Sequence, residues 1–246
     1  SQLRFAAGTT DVVTSGNDGR LVRWPPGGEP ILLAQARQPI DGFAMTRDPA
    51  SIVFSTADGA LWRTGARGEA LSFRSGGAHV SRLRAVPGQA TVYAGYATGD
   101  VVAIDTRSWQ SQTTLHGIGA VRDIATTPDG RTIAVATNDG TIHVGTYRDG
   151  RTDPDGLRWV TLALRTRDIT LAPDGLLVAS CTDGTIWLYS PPRGRWLCLP
   201  TGTADLGRTA VTDDGKAAVA LDFEGALIWI DLEAARAQLE INATTQ

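Results

Sequence analysis

An all-β fold built from six repeated four-stranded units is what this sequence predicts, on three observations. Tight-turn pairs recur at Asp18-Gly19, Asp58-Gly59, Thr98-Gly99, Asp139-Gly140, Asp183-Gly184 and Glu224-Gly225, with Gly-to-Gly spacings of 40, 40, 41, 44 and 41 residues. The second residue past each turn glycine is aliphatic: Leu21, Leu61, Val101, Ile142, Ile186 and Leu227. Short apolar segments precede each turn and are apolar on both faces, as in strands covered on two sides. Four short strands in roughly 40 residues, repeated along a chain, make the blade of a β-propeller.

Within each unit the strands follow in order. The innermost is read at Leu3-Phe5, Phe43-Met45, Leu83-Val86, Ile124-Thr126, Ile169-Leu171 and Thr209-Val211, several leading into a turn such as Pro128-Asp129-Gly130 or Pro173-Asp174-Gly175. The second is read at Asp11-Thr14, Ser51-Phe54, Thr91-Ala94, Thr132-Val135, Leu176-Ala179 and Ala217-Ala220, and the third starts past the turn glycine. Glycine suits these two-residue hairpins because it adopts positive φ without steric cost. The outermost is read at Ile31-Leu33, Ala70-Phe73, Gln112-Leu115, Val160-Leu164, Trp196-Leu199 and, in the last unit, Leu239-Ile241. Only the Ala-rich stretch from Leu232 to Ala237 suggests a helix.

The fourth and fifth units carry a family resemblance. The run from Val121 to Ile142, with Thr127-Pro128-Asp129-Gly130 and Asn138-Asp139-Gly140-Thr141-Ile142, resembles a WD40 repeat almost position by position, and Thr166 to Tyr189 follows it closely. The chain is thus similar to WD40 propellers of a degenerate, bacterial type. The family's Trp position, five past the turn glycine, holds Trp24, Thr64, Ile104, Gly145, Tyr189 and Ile230; its acid follows only at Asp105 and Asp231, and its Gly-His pair is approached only by the reversed His116-Gly117. Trp62 and Trp187 fall on the opposite strand face, where they are expected to pack between blades. Six closed blades in a single domain over residues 1–246 are the expectation, with seven blades or an open ring as alternatives. The start at Ser1 without Met is expected of a piece of a longer chain.

Composition narrows the function classes. Hydrophobic residues at 42% and charged residues at 20% match an ordinary globular chain and exclude disorder. A net charge of -3 lacks the basic stripe that nucleic-acid binding requires, and Arg193, Arg195 and Arg208 are too few to make one. No apolar run reaches the roughly 18–20 residues of a membrane span, and no signal peptide is read, so a cytoplasmic location without membrane contact is expected. The histidines His79, His116 and His143 occupy different blade positions, which gives no basis for a metal site, and no cofactor is expected. Cys181 and Cys198 fall on the second and fourth strands of one blade, too far apart for a disulfide. The segment from Arg148 to Gly156 reads as an enlarged turn, since its acids lack the spacing of a calcium loop.

The resemblance also implies a docking face. In a WD40-like ring the residues entering each innermost strand line the channel rim, where partners dock. Those positions give a collar of Asp41, Arg82, Arg122, Asp123, Arg167, Asp168 and Arg208, beside the aromatics Tyr96 and Phe223. Arginine and aromatic side chains are the usual anchors of protein interfaces. The expected function is a noncatalytic scaffold that recognises a protein, a peptide or another domain of a parent chain. Two other readings stay open: the same charges tie neighbouring blades as ion pairs, or Asp41, Asp123 and Asp168 serve a small-ligand sensor or a hydrolase- or lyase-type site at the channel mouth.

Overall fold

The computed structural model describes residues 2–6, 9–46, 52–65, 69–74, 77–148, 151–152, 158–161 and 166–241. They form two compact units, Ser1–Val121 and Arg122–Gln246, each holding three antiparallel sheets. In the first unit the sheets are β1 (Gln2–Phe5), β2 (Val12–Ser15), β3 (Arg20–Trp24) and β4 (Ile31–Gln35); β5 (Ile40–Met45), β6 (Ile52–Thr56), β7 (Leu61–Thr64) and β8 (Ala70–Arg74); and β9 (Val80–Ala85), β10 (Thr91–Tyr96), β11 (Val101–Asp105) and β12 (Ser111–Leu115). The second unit opens with β13 (Val121–Thr126), β14 (Thr132–Thr137), β15 (Thr141–Arg148), β16 (Arg151–Thr152) and β17 (Arg158–Thr161). Next come β18 (Thr166–Leu171), β19 (Leu177–Cys181), β20 (Thr185–Ser190) and β21 (Arg195–Pro200), then β22 (Leu206–Val211), β23 (Ala217–Asp222), β24 (Leu227–Asp231) and the helix α1 (Leu232–Ile241). Six blade sheets of sequential hairpins are the expected propeller repeat.

Hydrophobic alternation explains how the sheets stack. Val13, Leu21 and Ala34 of the first sheet share one cluster with Phe43, Ile52 and Phe54 of the second. Val53 and Leu61 of the second then meet Leu83, Val92 and Ile104 of the third. In the second unit, Ile142 and Val144 pack on Ile169, Leu177 and Ala179, and Val178, Ile186 and Leu188 pack on Ala218, Ala220 and Ile230. Within each unit a sheet can therefore be given a leading face, on the side of the sheet before it in the chain, and a trailing face, on the side of the sheet after it. Every residue of β6 and of β19 is buried, because both faces of these middle strands are covered. Burying one such aliphatic side chain contributes about 1.5–3 kcal/mol, so stacking supplies most of the stability. Trp62 and Trp187 pack on leading faces, against the clusters shared with the preceding sheets, as the repeat predicts.

The recurrent glycine has a second cause besides φ. At Gly184, with φ of 76°, an added Cβ would collide with the carbonyl oxygen of Thr203, while Thr201 donates its amide to Gly184 O at 3.2 Å. The hairpin tip is tucked beneath the connection leading to the next sheet.

Two expectations need correction. Leu239-Ile241 does not form a fourth strand of the last sheet; β22, β23 and β24 stand as three strands, and the chain turns into α1. Leu232, Ala235 and Leu239 recur at helical spacing and bury into the cluster of the fifth and sixth sheets. The Asp231 carboxylate caps the helix by accepting from the Ala234 amide at 2.9 Å, and Arg195 of β21 donates to the carbonyl of Leu239 at 3.0 Å. In the fourth sheet the outer strand starts at Arg158, two residues before the expected Val160, and holds Val160 and Thr161; Leu162-Leu164 lie outside the described residues. The enlarged turn is in part a continuation of the sheet, since β15 runs on to Arg148 and pairs back with β16.

Candidate functional site

The first residues of the innermost strands are where the sequence places the collar, and in the second unit they form a connected set. Asp123 of β13 is buried, and its carboxylate accepts from its neighbour Ile124 N at 2.9 Å and, across the sheets, from Ile169 N of β18 at 3.0 Å. Asp168 of β18 repeats the arrangement one sheet on. Its Oδ2 accepts from Thr209 N at 2.9 Å and from Thr209 Oγ1 at 3.1 Å, both on β22, while Arg208 donates to Oδ1 at 3.0 Å. In the first unit Gln2 is the counterpart, its Oε1 accepting from Phe43 N of β5 at 3.4 Å. One position of the repeat thus joins each of three innermost strands to the next by a side-chain acceptor on a backbone amide.

This geometry makes Asp123 and Asp168 ties between sheets of the second unit. Asp123 and Asp168 have carboxylates bonded to backbone amides of the following sheet, buried at Ile169 and half-buried at Thr209, and those hydrogen bonds would be lost if the acid moved. Asp41 of the first unit is more open, with its Oδ2 3.7 Å from Nδ1 of His79. The ion-pair reading holds for Arg208 with Asp168, a pair that joins the fifth and sixth sheets.

Arg167 does something else. Its Nε and Nη2 engage Asp205 as a fork, at 3.2 and 2.7 Å, and its guanidinium lies 5.3 Å from the centre of the Phe223 ring. Phe223 is 69% exposed, and the Arg208 side chain is 68% exposed. The planar guanidinium suits both contacts, since it pairs bidentately with a carboxylate while stacking on an aromatic face. A solvent-facing aromatic ring is thus stacked on an arginine whose guanidinium is held by Asp205.

Tyr96 does not belong to such a patch. It is the last residue of β10 and points along the leading face of the third sheet into a core cluster with Leu83 and Val92, so it is a packing residue rather than an exposed anchor. Arg82 on β9 and Arg122 on β13 are half-buried at their strand starts. Asp205 was not legible, because it sits in the connection before β22, outside the repeat pattern.

A recurring turn lock was visible in the sequence yet unread. A threonine two residues before the turn aspartate donates its hydroxyl to that carboxylate at Thr56–Asp58, Thr127–Asp129, Thr137–Asp139 and Thr212–Asp214, at 2.5 to 2.7 Å. These threonine hydroxyls are the main cause that holds the four carboxyls below their ordinary value of 3.8. At Trp62 the lock extends, its indole N–H donating to Thr56 Oγ1 at 2.8 Å. The third sheet has a variant of its own, with His116 Nδ1 2.5 Å from Asp100 Oδ1 beside Gly99.

Among the described residues no three His, Cys, Asp or Glu side chains gather as a metal site would need, and no helix is long and apolar enough to cross a membrane. Cys181 and Cys198 are unbridged, and burial pushes the Cys181 thiol up to about 11.

Comparison with known proteins gives one positive result. The family model described as WD domain, G-beta repeat matches residues 109–144 and 165–190. No curated protein matches the chain.

Proposed function

Because the chain carries WD40 repeats, a family whose propellers generally act as protein-interaction scaffolds, we propose that it is a noncatalytic module binding a protein or peptide at the exposed patch of Arg167, Arg208 and Phe223. The observation that carries this reading is the stacking of Arg167 on a ring that is 69% exposed. Aromatic and arginine side chains dominate protein-binding energy where they are preorganised, and here the fork to Asp205 fixes the arginine before any partner arrives. Arg82, Arg122 and Asp41 belong to the proposal as further binding residues. Action of all six sheets as one domain, in the cytoplasm and as part of a larger chain, belongs to the same proposal.

The test is affinity capture of partners on immobilised wild-type protein and on an F223A/R208A variant, with identification by mass spectrometry. A partner held by wild type and lost from the variant is the expected result. A partner retained equally by a folded variant overturns the placement of the face.

A further inference from the structure

Tight turns with the same Asp-Gly step hold their carboxylates unequally in this chain. The step occurs in turns at Asp18, Asp58, Asp129, Asp139, Asp174, Asp183 and Asp214, while Asp41-Gly42 lies inside β5 with Gly42 paired to Ser55. In each of these turns the aspartate accepts the amide two residues on, at 3.0 to 3.2 Å. All but one of the carboxylates are also held by a side-chain donor. Threonine hydroxyls two residues earlier hold Asp58, Asp129, Asp139 and Asp214. Thr185 Oγ1 donates to Asp183 at 2.6 Å, and Arg236 reaches Asp174 with Nε at 2.8 Å and Nη2 at 3.1 Å. At Asp18 no side chain among the described residues donates a hydrogen bond. The threonine position is Gly16, and Arg20 Nε, 3.7 Å from Oδ2, donates instead to Gln35 Oε1 at 3.2 Å. The Asp18 side chain is 58% exposed.

The glycine amides of these turns differ as well. Gly59, Gly130, Gly175 and Gly215 donate to the carbonyl three residues back at 2.8 to 2.9 Å, whereas Gly19, Gly140 and Gly184 do so at 3.2 to 3.3 Å. Beside the last two of those looser amides, the carboxylates of Asp139 and Asp183 are pinned by hydroxyls at 2.5 and 2.6 Å. Only at Asp18-Gly19, among the described turns, does a loose amide adjoin an unpinned carboxyl. Glycine has no side chain to obstruct the approach of its own nitrogen to the carboxyl before it.

We propose that Asp18-Gly19 is a covalent modification site, at which the aspartate closes to a cyclic imide and reopens as isoaspartate faster than any other Asp-Gly step of the described residues. The Gly19 nitrogen gives up its proton and bonds to Cγ of the protonated Asp18 carboxyl, the Cγ–OH bond breaks, and one water leaves. A second water then opens the ring. Cleavage of the new N–Cγ bond restores aspartate. Cleavage of the original bond between that nitrogen and the Asp18 main-chain carbonyl carbon leaves the backbone running through Cβ and Cγ. Nothing is oxidised or reduced, and water is the only co-reactant. The threonine hydroxyls oppose this chemistry in the other turns, because they fix the carboxylate in place and favour its ionised form, whereas ring closure needs it free and protonated. The product matters locally. Gly19 O accepts from Ala36 N at 2.8 Å, and an extra main-chain carbon at the hairpin tip would displace that contact with the connection to β5.

Incubation of the folded protein at physiological temperature and neutral pH in heavy-oxygen water tests this, because each passage through the imide leaves one solvent oxygen in the reopened residue. Peptide mass spectrometry reads that oxygen, and resistance to a protease that cuts before aspartate reads isoaspartate. Wild type is expected to accumulate both at Asp18 several times faster than at the other Asp-Gly steps of the described residues. G16T, which supplies the threonine of the other turns, should bring Asp18 down to their rate, while G16A should not. T137V should raise the rate at Asp139 several-fold, an independent readout should G16T lose its β-sheet signal. Wild type unfolded in urea should show no preference for Asp18. A folded-state rate at Asp18 no higher than at the threonine-held turns overturns the proposal. So does G16T that ages like wild type with its circular dichroism intact, or T137V that leaves Asp139 as slow as before. A preference for Asp18 that persists in urea overturns it equally, since the cause would then lie in the neighbouring sequence.

Discussion

Asp168 holds Thr209 twice, accepting the backbone amide at 2.9 Å and the hydroxyl at 3.1 Å from a residue 41 positions further along the chain. The carboxylate lies between two innermost strands, and Arg208 reaches it only from the solvent side. The tie is therefore a side-chain-to-backbone link first and an ion pair second.

Replacing Asp168 by Ala should cost about 1–3 kcal/mol, because the Thr209 amide loses its acceptor. Asp168→Asn keeps one acceptor oxygen and should lose at most half as much. Arg208→Ala should fall within about 0.5 kcal/mol, since an exposed pair contributes little. Urea denaturation midpoints read all three, and an Arg208→Ala loss as large as that of Asp168→Ala would show that the ion pair dominates.

Acid should weaken the fold through the turn locks. The carboxyls of Asp58, Asp129, Asp139 and Asp214 titrate below 3.8 when folded, so their stabilisation is complete above that value and is lost as pH falls through the lower folded pKa. The melting temperature should hold steady from neutral pH down to about pH 5 and then drop. T56V/T137V should start lower at neutral pH and drop less. An unchanged slope in that variant would remove the locks as the cause.

The two cysteines should differ sharply toward a thiol reagent. Cys181 is fully buried with its thiol pushed up to about 11, whereas Cys198 is exposed on β21. Ellman's reagent at pH 8 should titrate one thiol per native chain at Cys198 and two after denaturation. Rapid reaction of both in the native protein would contradict the packing around Cys181.

Gly27 and Gly184 separate backbone strain from crowding. Both have positive φ, 69° and 76°, but a Cβ at Gly27 meets nothing within 4 Å, whereas one at Gly184 strikes the Thr203 carbonyl. Gly27→Ala should cost about 1 kcal/mol for the left-handed backbone alone. Gly184→Ala should cost at least twice that, as a shift in denaturation midpoint. Equal losses would place the whole effect in φ.

Much of the fold was legible because the stacking faces impose the same period on every sheet. The aliphatic residue after each turn glycine and the inter-sheet placement of Trp62 and Trp187 could both be read from spacing. The last element was misread because Leu239-Glu240-Ile241 taken alone has strand character; the helix shows only when Leu232 and Ala235 are read with Leu239. The candidate residues could be read by their position in the repeat and not by their role. Asp123 and Asp168 were found at the right step of the repeat, but a carboxylate's job is set by the amide opposite it, and that amide belongs to the next sheet. Tyr96 was misplaced because proximity to a turn does not say toward which face a terminal strand residue points.

The links Gln2 to Phe43, Asp123 to Ile169 and Asp168 to Thr209 all run from one sheet to its immediate successor. A stack coupled only to nearest neighbours behaves as a one-dimensional lattice, where each element draws stability from the two beside it. Amide hydrogen exchange should follow that rule, slowest in β6 and β19, the middle strands of each unit, and faster in the sheets on either side. Damage then spreads by one lattice step and fades, so a lesion in the sixth sheet loosens the fifth and leaves the exchange of β6 untouched.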